Sequence, residues 1–228
     1  MKAERILMTG SLAETLWRLE EVRKGFRKSP DVHVKEALDW VLSRQGLKGA
    51  YGNLFSATEK DLKGVQLPTG ERIYSAALRH ILGEEALRTV IAWNLKASPV
   101  VEKAVNSFNQ LLVRGGDHCA KESGFYCCHK CTPAFLRTLA VVKPDDWDKT
   151  LEKGIKNIKS KRLPNGRWHG FPFYYTLLTL SEIETPLARA ELKHAGKTAE
   201  KLLKQYQNND RTSRFRRLGL EAALNALN

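Results

Sequence analysis

The sequence predicts an all-α protein built from α/α helical-hairpin repeats, and three observations lead there. Apolar residues recur at three- and four-residue steps through nearly the whole chain, as helices with one buried face require. Strand signals are scarce. Prolines at 99, 133, 144, 172 and 186 each stand near the start of a periodic segment, where a missing N–H costs a helix least.

Taken in order, Leu12, Leu16, Leu19 and Val22 mark a first helix, and Val34, Ala37, Leu38, Val41 and Leu42 a second. Further helices are expected over 74–82, 84–95, 100–113, 132–142, 145–158, 172–183, 186–206 and 214–226. Asp145 and Asp146 follow Pro144 at a helix start, where carboxylates cap N–H groups and favour the helix dipole. Three stretches repeat one pattern: LPTGERIYSAALRHIL from Leu67, SGFYCCHKCTPAFLRTLA from Ser123 and LPNGRWHGFPFYYTLLTL from Leu163. Superposing Gly124 on Gly166 brings Tyr126 onto Trp168 and Cys127 onto His169; after a one-residue gap, Leu136 meets Leu177 and Leu139 meets Leu180. Each unit reads as an outer helix, a glycine turn, an aromatic residue and an inner helix. Such pairs cannot bury their apolar faces alone, so the array is expected to close into a solenoid or a toroid, partial or complete, with 1–228 as a single domain.

A chain of 228 residues with 42% hydrophobic content can bury a core without covalent staples. No apolar run approaches the roughly 20 residues that span a bilayer, and the first residues carry acids rather than a continuous apolar stretch ending in a cleavage site. A cytoplasmic, reducing compartment is therefore expected. In such a compartment, clustered cysteines serve metals or redox chemistry more often than disulfides.

All four cysteines, Cys119, Cys127, Cys128 and Cys131, fall within 13 positions. Cys128 and Cys131 form a C-x2-C pair whose sulfurs can converge on one ion when the chain turns. Cys119 offers a third thiolate, and the fourth ligand is open among Cys127, His118, His129 and His169. Thiolates suit zinc and iron–sulfur clusters alike, so both cofactors are expected candidates. The competing readings are buried structural thiols and a redox pair.

The stretch GRWHGFPFYYTLLTLSEI resembles the repeat of protein prenyltransferase β subunits and of squalene and terpene cyclases. That resemblance implies an α/α toroid, over roughly residues 120–185. It implies architecture more than activity. The zinc of prenyltransferases is held by an Asp-x-Cys pair, whose spacing Asp117-His118-Cys119 repeats, and by a histidine at the position where Tyr175 stands here. The cyclases' acidic D-x-D-D stretch has a superficial counterpart in PDDWDK, residues 144–149. No catalytic residue is assigned.

Two other classes follow from composition. Trp168, Phe173, Tyr174 and Tyr175, together with His169, suit an aromatic pocket for an isoprenoid-like ligand in an enzyme, although such residues more often pack between helices. The net charge of +13 suits an anionic partner, nucleic acid or a phosphorylated ligand. Basic residues are densest in KNIKSKR (Lys159, Lys161, Arg162) and in RTSRFRR (Arg214, Arg216, Arg217), where Phe215 offers a stacking face.

Overall fold

The computed structural model describes residues 5–114, 127–206 and 208–227. Its helices are α1 (Leu12–Arg23), α2 (Asp31–Leu42), α3 (Glu59–Leu62), α4 (Ala77–Ala92), α5 (Pro99–Arg114), α6 (Thr132–Val142), α7 (Trp147–Ser160), α8 (Phe173–Ser181), α9 (Pro186–Leu203) and α10 (Arg211–Asn225). The all-α class is as expected: among the described residues the one sheet is a small hairpin of β1 (Val65–Gln66) and β2 (Arg72–Ile73). None of the described helices is long and apolar enough to cross a membrane. The chain gathers into two compact units, Met1–Val65 with Arg72–Asp117, and Gln66–Glu71 with His118–Asn228.

In the first unit α4 is the central element, meeting α1, α2, α3 and α5. The sequence pattern breaks this segment at Gly83, but a single helix runs through it. The reason is packing: a Cβ on Gly83 would lie 3.1 Å from Leu54 Cβ, so the glycine serves close approach rather than a turn. Because α4 is covered on nearly every side, its charges must be paired in place. Arg88 Nε donates to Glu85 at 2.9 Å, and its Nη2 lies 3.2 Å from Glu20, which Arg23 also holds at 2.7 Å. Asp61 joins two helix starts. Its carboxylate accepts from the Thr58 N–H at 3.0 Å, the Ser11 hydroxyl at 2.6 Å and the Leu12 N–H at 2.8 Å.

The second unit is a two-layer helical array. One layer runs α6, α8, α10 and the other α7, α9, with α6 on α7 and α9 on both α8 and α10. α8 and α10 come together at Gly219, where a Cβ would stand 2.8 Å from Leu177 Cβ and 2.9 Å from the Leu178 nitrogen. Two of the three stretches that the sequence aligns share one turn geometry, and Ser123, Gly124 and Tyr126 of the third lie outside the described residues. In LPTGE the Leu67 N–H donates to Glu71 O and the Gly70 N–H to Leu67 O; in LPNGR the Leu163 N–H donates to Arg167 O and the Gly166 N–H to Leu163 O. Gly70 and Gly166 hold φ of 93° and 73°, a region that disfavours a side chain.

The first of these turns also completes α8. The N-cap of α8 is Pro172, which has no side-chain acceptor to offer. Glu71 supplies one, accepting from the Tyr174 N–H at 2.8 Å and the Tyr175 N–H at 3.0 Å. The expected capping of α7 by aspartates takes another form. Asp146 occupies the N-cap position but makes no side-chain cap bond, and its carboxylate meets Lys149 at 2.7 Å instead. α10 starts three residues before the position the periodicity suggests, since Asp210 accepts from the Ser213 N–H at 3.1 Å and sets the cap there.

α6 is fixed to the array by Arg137, whose side chain is 1% exposed. Its Nε donates to Glu182 Oε2 at 2.9 Å and its Nη2 to Oε1 at 3.2 Å, while the guanidinium carbon lies 5.5 Å from the centre of the Tyr175 ring. Removing one member of such a pair leaves a charge in a place water does not reach. Glu182→Ala is expected to lower stability by about 3 kcal/mol, because it strands the more deeply buried partner. Arg137→Met, which leaves a carboxylate that water still touches, should cost less. Chemical denaturation of the two single variants checks the order, and equal losses would contradict it.

Candidate metal centre

The C-C-H-K-C stretch turns directly into α6. The Cys131 and Thr132 N–H groups donate to Cys128 O at 3.1 and 3.0 Å, and the Thr132 hydroxyl donates to the same oxygen at 2.9 Å. Cys131 thereby becomes the residue preceding the helix, and Pro133, which lacks an N–H, falls in the first turn where none is needed. This turn does what C-x2-C spacing allows: it points both sulfurs the same way. Cys128 Sγ and Cys131 Sγ lie 3.3 Å apart, and Cys127 Sγ is within 4.8 Å of Cys131 Sγ.

All three thiols are buried, with Cys127 at 5%, Cys128 at 3% and Cys131 at 0% exposure, and none is in a disulfide. Hydrogen bonds from the Cys127 thiol, then the Cys131 thiol, and then backbone N–H groups pull the Cys128 thiol down to about 2, overcoming the opposing effect of burial. A thiolate ringed by sulfur donors is the chemistry of a soft-metal site. Two thiolates on one tetrahedral zinc, with bonds of about 2.3 Å, stand about 3.8 Å apart. The Cys128–Cys131 separation of 3.3 Å is close to that value, so these two residues fit such an ion with small adjustments of side-chain rotamer.

The remaining expected ligands are distributed differently. His118 and Cys119 lie outside the described residues. His129 is buried and packs on Phe171, with ring centroids 4.8 Å apart. His169 is exposed, and its backbone N–H donates to Lys161 O at 2.8 Å. The sequence reading missed Gly170 and Phe171, which seat His129. Gly170 has φ of 79°, and a Cβ there would stand 2.3 Å from His129 Nδ1. The signal was available in the glycine between His169 and Phe171.

The aromatic residues offered as a ligand pocket are committed to packing. Trp168 Nε1 donates to the buried Glu191 at 3.0 Å, and Tyr175 is fully buried beneath Arg137. Phe173 lies under the Arg167 guanidinium at 4.6 Å, and the Tyr174 hydroxyl meets that of Tyr206 at 2.6 Å. An apolar cleft of about 280 Å³ in this unit lies elsewhere, against Trp147, Leu151, Ile155 and Pro186.

Among the residues expected to contact nucleic acid, the four arginines have partners within the fold. Arg162 is bound to Glu191 at 2.8 Å, and Arg216 Nε donates to Thr69 O at 2.7 Å while the guanidinium stacks on Tyr174 at 4.2 Å. Arg214 Nε donates to Asn209 O at 2.6 Å, and Arg217 reaches the Asn209 side chain at 3.5 Å. Phe215 is fully buried, so it offers no stacking face. Lys159 is exposed and Lys161 half-buried.

Comparison with protein-family models, curated proteins and solved structures finds no match to the chain.

The thiolate makes a direct prediction. Because the folded Cys128 value lies below the ordinary thiol value of about 8.5, its stabilisation is complete above about pH 8.5 and is lost as pH falls towards about 2. Metal-stripped protein should keep one equivalent of ultraviolet thiolate absorbance at about pH 5, and Cys128→Ser should lose it. A thiolate band that titrates away near pH 8.5 would contradict the geometry.

Proposed function

We propose that this chain is a zinc-binding helical-repeat protein, in which Cys127, Cys128 and Cys131 grip one Zn²⁺ at the start of α6. The observation that carries the reading is the convergence of buried sulfurs, 3.3 Å between Cys128 and Cys131, around a thiol already poised as its anion. The same spacing suits two thiolates sharing one metal atom, as on a single Zn²⁺, better than a [4Fe–4S] cluster, in which each thiolate takes a different iron. By sequence, Cys119 is the remaining thiolate for a fourth position, and a closed set of four protein ligands makes the site a staple rather than a catalyst. The two-layer order of α6 to α10 and the matched LPTGE and LPNGR turns support a repeat of the prenyltransferase-like kind as its scaffold.

Protein purified without chelators should carry about one zinc per chain by elemental analysis, and its visible spectrum should be featureless. Cys128→Ser and Cys131→Ser should each weaken zinc retention against a chromophoric chelator by tenfold or more, with the helical circular dichroism unchanged. Cys119→Ser should do the same. Iron with acid-labile sulfide, or no metal beside freely titrating thiols, would sink the reading.

A further inference from the structure

The chain's basic residues are used in two different ways, and the difference marks a surface. Within the second unit several arginines are spent on the fold: Arg137 on Glu182, Arg162 on Glu191 and Arg216 on Thr69 and Tyr206. The lysines are not. α9 buries Ala188, Glu191, Leu192, Ala195, Gly196 and Ala199 against its neighbours. At 100° per residue the opposite face carries Lys193, Lys197, Lys201 and, just past the helix, Lys204, and all four are exposed. Steps of four residues rise about 6 Å each, so the four ammonium groups form a row roughly 16 Å long. None of them is drawn into an ion pair with a described residue.

Its neighbour in the same layer repeats the arrangement. α7 buries Leu151, Gly154, Ile155 and Ile158, and opposite them stand Lys149, Lys153 and Lys156, all exposed. Lys149 and Lys156 meet Asp146 and Glu152, but in pairs at least 49% exposed, which water and salt screen. α7 packs on α9, and both turn their buried faces to the same inner layer, so their lysine faces look outward together. On α9 the acid that could have neutralised the row, Glu191, is instead folded inward onto Arg162 and Trp168, leaving Glu200 as the exposed acid of that helix.

We infer that the outer face formed by α7 and α9 docks the phosphate backbone of double-stranded nucleic acid. Compact ammonium groups on long stems, with Trp147 half-buried and no fully exposed aromatic residue on α7 or α9, suit repeated phosphate contacts rather than the stacking platforms that single strands need. A lipid surface fits less well, because among the described residues of the second unit no large hydrophobic side chain is exposed for insertion. The surface is independent of the thiol site; it takes in the start of the lysine-rich KNIKSKR segment on α7, adds the lysine row of α9, and leaves out the arginine-rich RTSRFRR segment.

The test is fluorescence anisotropy of the full-length protein with a random-sequence duplex, in DNA and RNA forms, across a salt series. The triple variant Lys193→Gln/Lys197→Gln/Lys201→Gln should bind about tenfold or more weakly at low salt and flatten the log K against log salt slope by roughly 2 to 3. The control is Lys48→Gln/Lys60→Gln/Lys63→Gln, which removes the same charge from exposed positions of the first unit and should leave both quantities near wild type. Binding of either duplex with that difference between the variants supports the inference, and the better duplex names the source of the phosphate. Equal losses in the two variants would reduce the effect to net charge and overturn it. So would absence of duplex binding at low salt, or phosphatidylserine vesicles competing for the face as well as the duplex does.

Discussion

The position of α6 rests on a charge that is not in water. Arg137 reaches across to Glu182 at the end of α8 and lies against the ring of Tyr175 in that helix, so two inner helices are locked in register by one guanidinium. Buried pairs of this kind add little net stability compared with well-packed apolar residues, but they penalise every arrangement that separates them. The consequence here is positional. The cysteine turn precedes α6 by a single helical turn, so anything that fixes the rotation of α6 about its axis also fixes where Cys131 points. The zinc reading therefore depends on a contact well removed from sulfur.

Helix positions were legible because their cause is local. Three- and four-residue spacing, with proline at the starts, locates α5 to α9 within a few residues, and the shared LPxG turns are recognisable because they must provide a glycine at positive φ. What the pattern misread has a tertiary cause in each case. Gly83 looks like a break until Leu54 is found against it. Asp146 looks like a cap, yet the αL backbone at that residue, φ 52°, turns its carboxylate away from the helix N–H groups and toward Lys149. Pro172 leaves α8 uncapped in the sequence, and the carboxylate that repairs it comes from Glu71, about a hundred residues earlier, which no local rule could select.

The site was half legible for the same reason. C-x2-C spacing is a local geometric statement, and the turn at Cys128 to Cys131 realises it. Which histidine is buried nearby is a question of packing, and the sequence could not rank His129 above His169. That ranking depends on Phe171 and on the missing side chain at Gly170, which make room for the His129 ring. The aromatic run was the least informative stretch, because Trp, Phe and Tyr spaced to line a cavity are spaced equally well to fill one. Glu191 and Arg137 decide between those uses, and both lie outside the run.

The location of the thiols at a helix start also bears on their charge. Under the proposed zinc reading, three thiolates around one Zn²⁺ would leave one net negative charge and Cys119 as a fourth would leave two, which a buried apolar setting would oppose. α6 answers it with its own backbone: the N-terminal end of a helix carries about half a positive charge, and here the terminus begins at the residue after Cys131. Hydrogen bonds from neighbouring thiols and N–H groups pull the Cys128 thiol below its ordinary value. A soft dication entering the site would displace a proton from Cys128 more readily than from an ordinary thiol, so the proton competition that opposes thiolate coordination below pH 8 would be smaller. Zinc affinity should therefore fall less steeply with acidity than it would for three ordinary cysteines, and the slope of that dependence reports how many of the thiols are preset.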